Sequence, residues 1–217
     1  MEGYGGAYRE YAAAIYELTE EGIPARQARI ADWLGVSRPS VSEMIRRMSE
    51  DGLVEVDGEV RLTEEGRHLA EVVVRRHRLA ERFLSEVLGL PWVKVHPEAE
   101  VWESVISDDV EEAMWKALGD PTTCPHGNPI PGAGYHPPPM HPVAEMTPGS
   151  VARLERISEE LELSGAVMGF LDEVALRPGA EIRLVAATGE RFELEVAGHR
   201  VTVERFVAER LFVEAAA

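Results

Sequence analysis

Apolar residues recur three or four positions apart over the first fifty residues, which is the spacing of helices with one buried face. The pattern predicts three helices there, the first over about 8–20. The residues expected to point into a shared core are Ile15, Leu18, Ile30, Trp33, Leu34, Val41, Ile45 and Met48. We therefore expect three short helices packed against one another.

The second and third of these helices are separated by a short turn with strong local signals. Gly35 follows the second helix, where a left-handed cap is common, and Ser37 precedes the third as an N-cap. Pro39 falls in the first turn of the third helix, where its missing N–H costs nothing. The pattern indicates a helix-turn-helix, although an ordinary helical hairpin in a core would show similar signals.

The outward positions of this region carry small hydroxyl side chains and arginines, which suit phosphate contacts and entry into a DNA major groove. Over residues 26–47, five arginines outnumber two acidic residues, so the segment carries a local charge of +3. The residues predicted at a DNA interface are Arg26, Arg29, Ser37, Arg38, Pro39, Ser40, Ser42, Glu43 and Arg47.

A strand-like alternation over 53–66 follows directly and turns at Asp57-Gly58, which predicts a β-hairpin. A hairpin next to a helix-turn-helix favours a winged helix over a plain helical hairpin. Thr63 then caps a new helix. We therefore predict a winged helix-turn-helix DNA-binding domain over 1–66.

The next segment predicts three helices, over about 67–88, 97–104 and 107–118. Their apolar residues exceed what one short bundle needs, and an exposed apolar surplus is typical of a protein interface. We therefore predict a helical dimerisation and metal-binding domain over 67–142, and a homodimer. Packing of this surface against the winged helix alone is the alternative.

Histidines and carboxylates recur at helical spacing in the same segment. His77 and Glu81 are four residues apart and share a helix face, as do Glu100 and Glu103 at a spacing of three, with His96 between the two pairs. Imidazole and carboxylate donors from neighbouring helices suit a divalent transition metal. For any one of these glutamates, a solvated helix face is the alternative.

Residues 119–142 are rich in proline and glycine, which predicts an ordered loop running into a linker. Cys124 and His126 could hold a metal there, but a single cysteine is a weak signal and we favour a structural role. Short alternating segments separated by glycine-containing turns then predict a small β-barrel over 143–217, with one helix near 164–174.

The net charge of −17, from 22 Lys and Arg against 39 Asp and Glu, opposes nonspecific binding to nucleic acid and favours bound cations among crowded carboxylates. A single cysteine excludes an intrachain disulfide and suits a reducing compartment. No apolar stretch is long enough to span a bilayer, and the N-terminal segment lacks the pattern of a secretory signal. These features predict a cytoplasmic protein.

These motifs together resemble the diphtheria-toxin-repressor family of metal-dependent transcriptional regulators. The segments that carry the resemblance are IYELTEEG (15–22), ARIADWLGVSRPSVSEMIRRMSEDGLV (28–54), HRLAERFL (77–84), VHPEAEVWESVISDDVEE (95–112) and HGNPIPG (126–132). The family implies a mainly α fold with small β parts: an N-terminal winged helix, a helical dimerisation domain and a C-terminal Src-homology-3-like barrel, similar to ferrous-transport accessory domains. It also implies a homodimer that binds operator DNA.

The resemblance implies two metal sites. One would use His77, Glu81 and His96, completed from the barrel, for which our candidates are Glu159 and Glu162. An intact triad makes this the stronger of the two predicted sites.

The other implied site would use Glu10, Glu100, Glu103 and the position of Ser104. Iron-responsive members carry Met and Cys at the first two positions, whereas manganese-responsive members carry acidic residues, so hard oxygen donors favour Mn(II), with Fe(II) as the alternative. Ser104 departs from the family, which usually places a histidine there. A hydroxyl is a poorer ligand than imidazole, so this site could be weak or completed by water.

The predicted function is therefore a non-enzymatic, Mn(II)- or Fe(II)-dependent DNA-binding regulator, a repressor of metal-uptake genes. A winged-helix regulator that responds to an organic ligand is one alternative. A metalloenzyme is another, since histidine and carboxylate clusters also form hydrolytic sites. The sequence shows no nucleophile with a neighbouring base, and the helix-turn-helix would have no task in an enzyme.

Overall fold

The computed structural model describes residues 4–214, and the chain forms two compact units. The first unit comprises residues up to His77 together with Trp102–Ile106, and the second comprises Arg78–Val101 and the chain from Ser107 onward. Residues 1–3 and 215–217 lie outside the described part of the chain. The first residues of the predicted N-terminal domain and the last residues of the predicted C-terminal domain are therefore not described. Among the described residues, no helix has the length and apolar character needed to cross a membrane.

The first unit is a three-helix domain with a hairpin. Every apolar residue predicted to point inward is buried except Leu34, which is half-buried. Helical periodicity therefore identified the core of this unit correctly. Its elements are α1 (Gly6–Glu20), α2 (Gln27–Leu34), α3 (Arg38–Glu50), β1 (Val54–Asp57), β2 (Glu59–Leu62) and the first part of α4 (Glu64–Glu86).

Local signals end and begin these helices as the sequence predicts. Gly35 adopts a left-handed conformation with φ 63° at the end of α2. The Ser37 hydroxyl accepts a hydrogen bond from the Ser40 amide at 3.3 Å and caps α3. Thr63 caps α4 in the same way, by accepting from the Gly66 amide at 3.1 Å. The turn of the helix-turn-helix is thus fixed by its own residues.

The wing is an antiparallel hairpin of β1 and β2, with Val54 opposite Leu62 and Asp57 opposite Glu59. Gly58 turns the hairpin with φ 71°. The first turn of α4 packs closely on the residue that precedes β1. A Cβ at Gly66 would lie 2.0 Å from the Leu53 carbonyl oxygen, so this approach requires glycine. The predicted winged helix is confirmed.

The second unit joins helices to a six-stranded antiparallel sheet. The strand order is β3-β8-β4-β5-β6-β7, and neighbouring strands pair antiparallel throughout. The apolar core under the sheet also includes Trp92 and Val95 at the start of α5. The elements beyond α4 are α5 (Trp92–Glu103), α6 (Asp108–Ala117), β3 (Met140–Pro142), a 3-10 turn (Val143–Glu145), β4 (Val151–Ile157), α7 (Glu159–Glu162), α8 (Gly165–Glu173), β5 (Glu181–Thr188), β6 (Arg191–Val196), β7 (His199–Glu204), α9 (Arg205–Ala208) and β8 (Leu211–Glu214).

Three details differ from the sequence expectation. Helix α5 begins at Trp92 and contains Pro97, although a proline more often starts or breaks a helix. Burial of Trp92 and Val95 in the core outweighs that local preference. The helices α7 (Glu159–Glu162) and α9 (Arg205–Ala208) were not predicted, because four residues show no periodicity. The sheet begins with β3, just before the predicted start of the barrel domain at residue 143.

Candidate metal centre

Six side chains that can bind metals meet in the interior of the second unit. They come from three helices, α4, α5 and α7, and from the loop that follows α6. The first and the last of these side chains are more than eighty residues apart in sequence. All six are buried, an unusual state for carboxylates, which are seldom enclosed unless they are paired or bind a metal. They are Glu81, His96, Cys124, His126, Glu159 and Glu162.

His96 faces three carboxylates from two other helices. Its Nδ1 lies 3.4 Å from Glu81 Oε1, 3.6 Å from Glu162 Oε2 and 3.9 Å from Glu159 Oε1. The ligand atoms of Glu81, His96 and Glu159 all lie within 4.8 Å of one another. This spacing matches donors that share one ion at metal–donor distances of about 2.0–2.3 Å.

His126 lies beside two of the same carboxylates. Its Nδ1 lies 2.6 Å from Glu162 Oε2 and 3.5 Å from Glu81 Oε1. The Cys124 Sγ is 3.9 Å from the same nitrogen, and the ligand atoms of Glu81, Cys124 and His126 also lie within 4.8 Å of one another. The cluster thus contains a second set of donors, which includes a thiol.

The loop that carries His126 is held against the end of β4 by its neighbours. Gly127 has φ 89°, and a Cβ there would lie 2.1 Å from the Glu155 carbonyl oxygen, so only glycine fits. The His126 carbonyl accepts from the Ile157 amide at 2.8 Å. The Asn128 amide donates to the Ile157 carbonyl at 3.1 Å and to Glu162 Oε1 at 2.7 Å. This loop therefore orients both His126 and Glu162.

The short helix α7 presents two carboxylates on one face. Ser158 caps it by accepting from the Glu160 amide at 3.2 Å, and Glu159 and Glu162 are three residues apart. Glu159 is also paired with the buried Arg78, whose Nη2 lies 3.1 Å from Glu159 Oε2. One carboxylate of the cluster is therefore held by an internal cation.

Burial and mutual charge shift the pKa values of the cluster. Burial raises the pKa of the Cys124 thiol to about 12, and the nearby charge of Glu81 adds to the rise. Burial also raises the pKa of Glu162 to about 7, with Glu81 adding to it and His126 opposing it. For His126 burial works against protonation, but Glu162 and Glu81 outweigh it and hold the pKa well above its usual value. Metal binding must displace these protons.

The donor set fits a divalent transition metal. Buried carboxylates and imidazoles, with one thiol, are the ligands that such ions take in proteins. His126 presents Nδ1 to Glu162 and Glu81, and its buried Nε2 has no hydrogen-bond partner among residues 4–214. A bound cation would also offset the negative charge enclosed with Glu81 and Glu162.

Four further residues were predicted as metal ligands: His77, Glu10, Glu100 and Glu103. His77 precedes Glu81 by one turn of α4, is buried, and has its Nδ1 2.8 Å from Glu103 Oε2. Glu100 is exposed one turn after His96 on α5, with its Oε1 3.7 Å from His96 Nε2. The other two residues of the implied second site, Glu10 and Ser104, are exposed.

The predicted DNA-contacting face is exposed as its helical phase requires. Arg29 is the exception, being half-buried with its guanidinium 5.9 Å from the Trp33 ring centroid. Glu43 forms an ion pair with Arg46 at 2.7 Å on the same helix. The predicted residues that are exposed are Arg26, Ser37, Arg38, Pro39, Ser40, Ser42, Glu43 and Arg47.

Sequence reasoning did not join Cys124 and His126 to the predicted ligands. Their spacing in a proline-rich loop was too weak a signal, and their place beside Glu81 depends on the docking of that loop on β4. The structure does lay Glu159 and Glu162 beside His96, where the sequence proposed barrel ligands. Their role as ligands stays a prediction.

Family models match nearly the whole chain in three segments. Residues 7–60 match the N-terminal DNA binding domain of iron dependent repressors, and residues 63–132 match their metal binding and dimerisation domain. Residues 141–215 match the FeoA domain.

Individual proteins agree with the family models. The iron-dependent repressor IdeR of Mycobacterium tuberculosis is 39% identical over 94% of this chain and 95% of its own length. The diphtheria toxin repressor of Corynebacterium efficiens is 40% identical over 82% of this chain and 83% of its own. The solved structure of a manganese-dependent transcriptional repressor in complex with manganese superposes with a TM-score of 0.87 at 30% identity, covering 96% of this chain and all of that chain.

Proposed function

The chain belongs to the diphtheria-toxin-repressor family of metal-dependent transcriptional repressors, which is a non-enzymatic family, and from this premise we propose that Mn(II) controls its binding to operator DNA as a homodimer. The observation that carries the proposal is the buried cluster of carboxylates, imidazoles and a thiol in a chain with an exposed recognition helix. The proposed targets are genes for metal uptake, and the proposed place of action is the cytoplasm.

The first metal site that we propose is the one inside the second unit. His77, Glu81 and His96 would hold the ion, and Glu159 and Glu162 of α7 would complete the set. The 3.4 Å approach of His96 to Glu81 and the shared face of Glu159 and Glu162 support this assignment. A divalent ion there would supply charge balance to buried carboxylates and tie α4, α5 and α7 together.

A second regulatory site would use the exposed carboxylates of Glu10 and Glu100 with Glu103 and Ser104. Its role would be to hold the N-terminal helix, and so to set the spacing of two recognition helices in a dimer. His77 Nδ1 lies 2.8 Å from Glu103 Oε2, so a metal bound by either residue at its proposed site would change this pair. The two sites are therefore expected to influence each other's occupancy.

We favour Mn(II) over Fe(II) because oxygen donors dominate both proposed sites, and hard donors suit Mn(II). The names of similar proteins include both iron-dependent and manganese-dependent repressors, so they do not separate the two metals. Cys124 places a soft thiol beside Glu81, and a thiol favours Fe(II). Comparison of the two metals on one protein is therefore part of the test.

The proposed dimer surface uses exposed apolar side chains on and near α5 and α6. Val101 is 62% exposed, Val105 76% and Val110 47%, and such side chains are usually covered in a working assembly. In a dimer the two recognition helices would enter successive major grooves, with Ser40 and Arg38 near the phosphates. Metal binding would shift the population toward the spacing that fits DNA.

The proposal is tested by DNA binding of the chelated protein, titrated separately with Mn(II), Fe(II), Co(II) and Zn(II). The probe is a DNA pool selected from genomic fragments by the Mn(II)-loaded protein, and fluorescence anisotropy reports binding. We expect weak binding without metal and strong binding with Mn(II). Equal affinity with and without every metal would contradict a metal-controlled repressor. His136→Ala, an exposed histidine of the proline-rich loop, is the matched control and should behave as wild type.

A further inference from the structure

Two neighbouring arginines of the recognition helix α3 differ in how they are paired. Arg46 forms ion pairs with Glu43 at 2.7 Å and with Glu50 at 2.5 Å, one turn before and one turn after it. Arg47 also has a carboxylate one turn later, on Asp51, but it forms no ion pair within the described part of the chain. The same spacing in the sequence therefore gives one arginine that is paired within its own helix and one that is not.

The carboxylate that Arg47 does not pair with is bound by a tyrosine of α1. The Tyr8 hydroxyl donates a hydrogen bond to Asp51 Oδ2 at 2.6 Å. A short hydrogen bond to a charged acceptor is about twice as strong as one between neutral groups, whereas an exposed ion pair one turn apart contributes little. The tyrosine can therefore keep this carboxylate from pairing with Arg47.

The position of Tyr8 is fixed by its neighbours. Its ring stacks on Tyr4 with the centroids 5.6 Å apart, and the Tyr4 hydroxyl donates to Glu65 Oε1 at 3.0 Å near the start of α4. On the same helix, Tyr11 and Ile15 are buried in the core of the first unit. The Tyr8 hydroxyl therefore stays beside the end of α3 without further ordering of the chain.

Arg47 lies close to the same hydroxyl. The hydrogen bond to Asp51 raises the pKa of Tyr8, and the positive charge of Arg47 opposes that rise. A phenol oxygen can donate one hydrogen bond and accept another, so Tyr8 can donate to Asp51 and accept from Arg47. Arg47 is also exposed, which contact with a DNA phosphate requires.

We propose that Tyr8 is a positioning residue for DNA binding: by holding Asp51, it keeps Arg47 available for a DNA phosphate. The inference rests on the proposed function, because it concerns the same DNA interface, but it does not depend on which metal controls the protein. Loss of the Tyr8 hydroxyl would release Asp51 to pair with Arg47. It would also leave an unshielded carboxylate close to the DNA.

The first test is operator binding by the full Mn(II)-loaded chain, measured by fluorescence anisotropy with one duplex from the selected DNA pool. Tyr8→Phe keeps the ring and removes only the hydroxyl. We expect it to weaken binding by roughly two- to fivefold, because a small ion pair forms in each chain of the dimer and competes with the phosphate. In an Asp51→Asn protein, which has no carboxylate to release, adding Tyr8→Phe should not change the affinity.

The salt dependence of binding distinguishes this role from a merely structural one. Each phosphate contact made by an arginine contributes about 1 to the slope of log affinity against log salt concentration. Arg47→Ala should therefore lower the slope by about 1 per chain, and Tyr8→Phe should lower it in the same direction. Adding Tyr8→Phe to Arg47→Ala should change neither affinity nor slope. Tyr4→Phe, which removes the hydroxyl bound to Glu65, is the matched control and should keep the wild-type slope.

Thermal unfolding verifies that each variant is folded. Wild-type affinity and slope in Tyr8→Phe, or an equal loss in Tyr4→Phe, would overturn the inference and leave the proposed function intact. A further loss of affinity when Tyr8→Phe is added to Arg47→Ala or to Asp51→Asn would also overturn it, because Tyr8 would then act by another route. If the wild-type protein binds no DNA with any metal, the proposed function fails, and this inference fails with it.

Discussion

The DNA-binding face and the metal cluster are built in opposite ways. The recognition helix α3 (Arg38–Glu50) presents exposed hydroxyls and arginines, and residues next to it in sequence fix its start. The cluster is buried and draws its donors from four segments that span more than eighty residues. The DNA-binding face is formed by its own residues, whereas the cluster encloses several carboxylates whose negative charge a bound cation would balance.

This difference teaches where control can reside. A preformed recognition helix can change its affinity for DNA only by being repositioned, because its own conformation is fixed by caps and a packed face. The cluster is the part whose free energy changes most with metal, because protons and carboxylate repulsion are exchanged for coordination bonds. The predictions below test this division, from the largest expected effect to the smallest.

The sharpest contrast within α3 is between neighbouring residues. Val41 is fully buried and Ser40 is exposed. Val41→Asp should lower the free energy of unfolding by about 4 kcal/mol or more, because an unpaired charge would be buried. Ser40→Glu should change stability by less than about 0.5 kcal/mol. It should still weaken operator binding by roughly 1–3 kcal/mol through repulsion of phosphate.

These two effects are measured by thermal unfolding and by fluorescence anisotropy with operator DNA. A stable Val41→Asp protein, or a Ser40→Glu protein that unfolds, would show that the two faces of α3 are assigned the wrong way round. That result would remove the proposed DNA interface.

Removal of the metal should lower the free energy of unfolding more than removal of any surface charge does. At a metal concentration one hundred times its dissociation constant, chelation should lower the free energy of unfolding by about 2.7 kcal/mol. In a protein that also carries Glu10→Gln and Glu100→Gln, which disable the other proposed site, Glu81→Gln should abolish this difference, because it removes a carboxylate shared by both donor sets. The measurement is denaturant unfolding with and without chelator. An unchanged metal-dependent difference in Glu81→Gln would mean that the ion binds elsewhere.

Gly127→Ala should disturb the cluster through the backbone. Its φ of 89° and the 2.1 Å approach of a Cβ to the Glu155 carbonyl predict a loss of roughly 1–3 kcal/mol in stability. Metal affinity should fall as well, because His126 is the preceding residue. Gly134→Ala is the control, since it also has a positive φ but no atom within 4 Å. Calorimetric titration of both variants should show weaker metal binding for Gly127→Ala alone; an equal loss in both would point to backbone strain only.

The smallest effect is expected at the start of the recognition helix. Ser37→Ala removes the hydroxyl that accepts from the Ser40 amide at 3.3 Å, and should cost about 1 kcal/mol of stability. Ser42→Ala, on the exposed surface of the same helix, should be nearly neutral. Thermal unfolding compares the two. Equal stability of both variants would show that the cap does not hold the turn between α2 and α3.

The sequence predicted the winged helix well because its signals are local. Gly35, Ser37 and the apolar spacing of Val41 and Ile45 each act within a few residues, so a pattern along the chain is enough. Helix α5 was predicted too short because Pro97 is a local signal that long-range burial of Trp92 overrides.

The metal cluster was only partly predictable. His77, Glu81 and His96 lie on helices whose spacing the sequence shows, and the family resemblance suggested Glu159 and Glu162. The approach of Cys124 and His126 depends on a loop that packs on β4 through Gly127, and such a long-range contact leaves no periodic pattern. The assignment of every one of these residues as a ligand stays a prediction.

The central claim is that metal binding and operator binding are coupled. Linkage requires that, if Mn(II) raises the affinity for operator by some factor, operator raises the affinity for Mn(II) by the same factor. The decisive measurement is calorimetric titration of Mn(II) into the chelated protein, free and saturated with operator DNA. We predict tighter Mn(II) binding in the presence of operator, by about 5- to 150-fold for a coupling of 1–3 kcal/mol. Equal Mn(II) affinities in the two titrations would contradict the account.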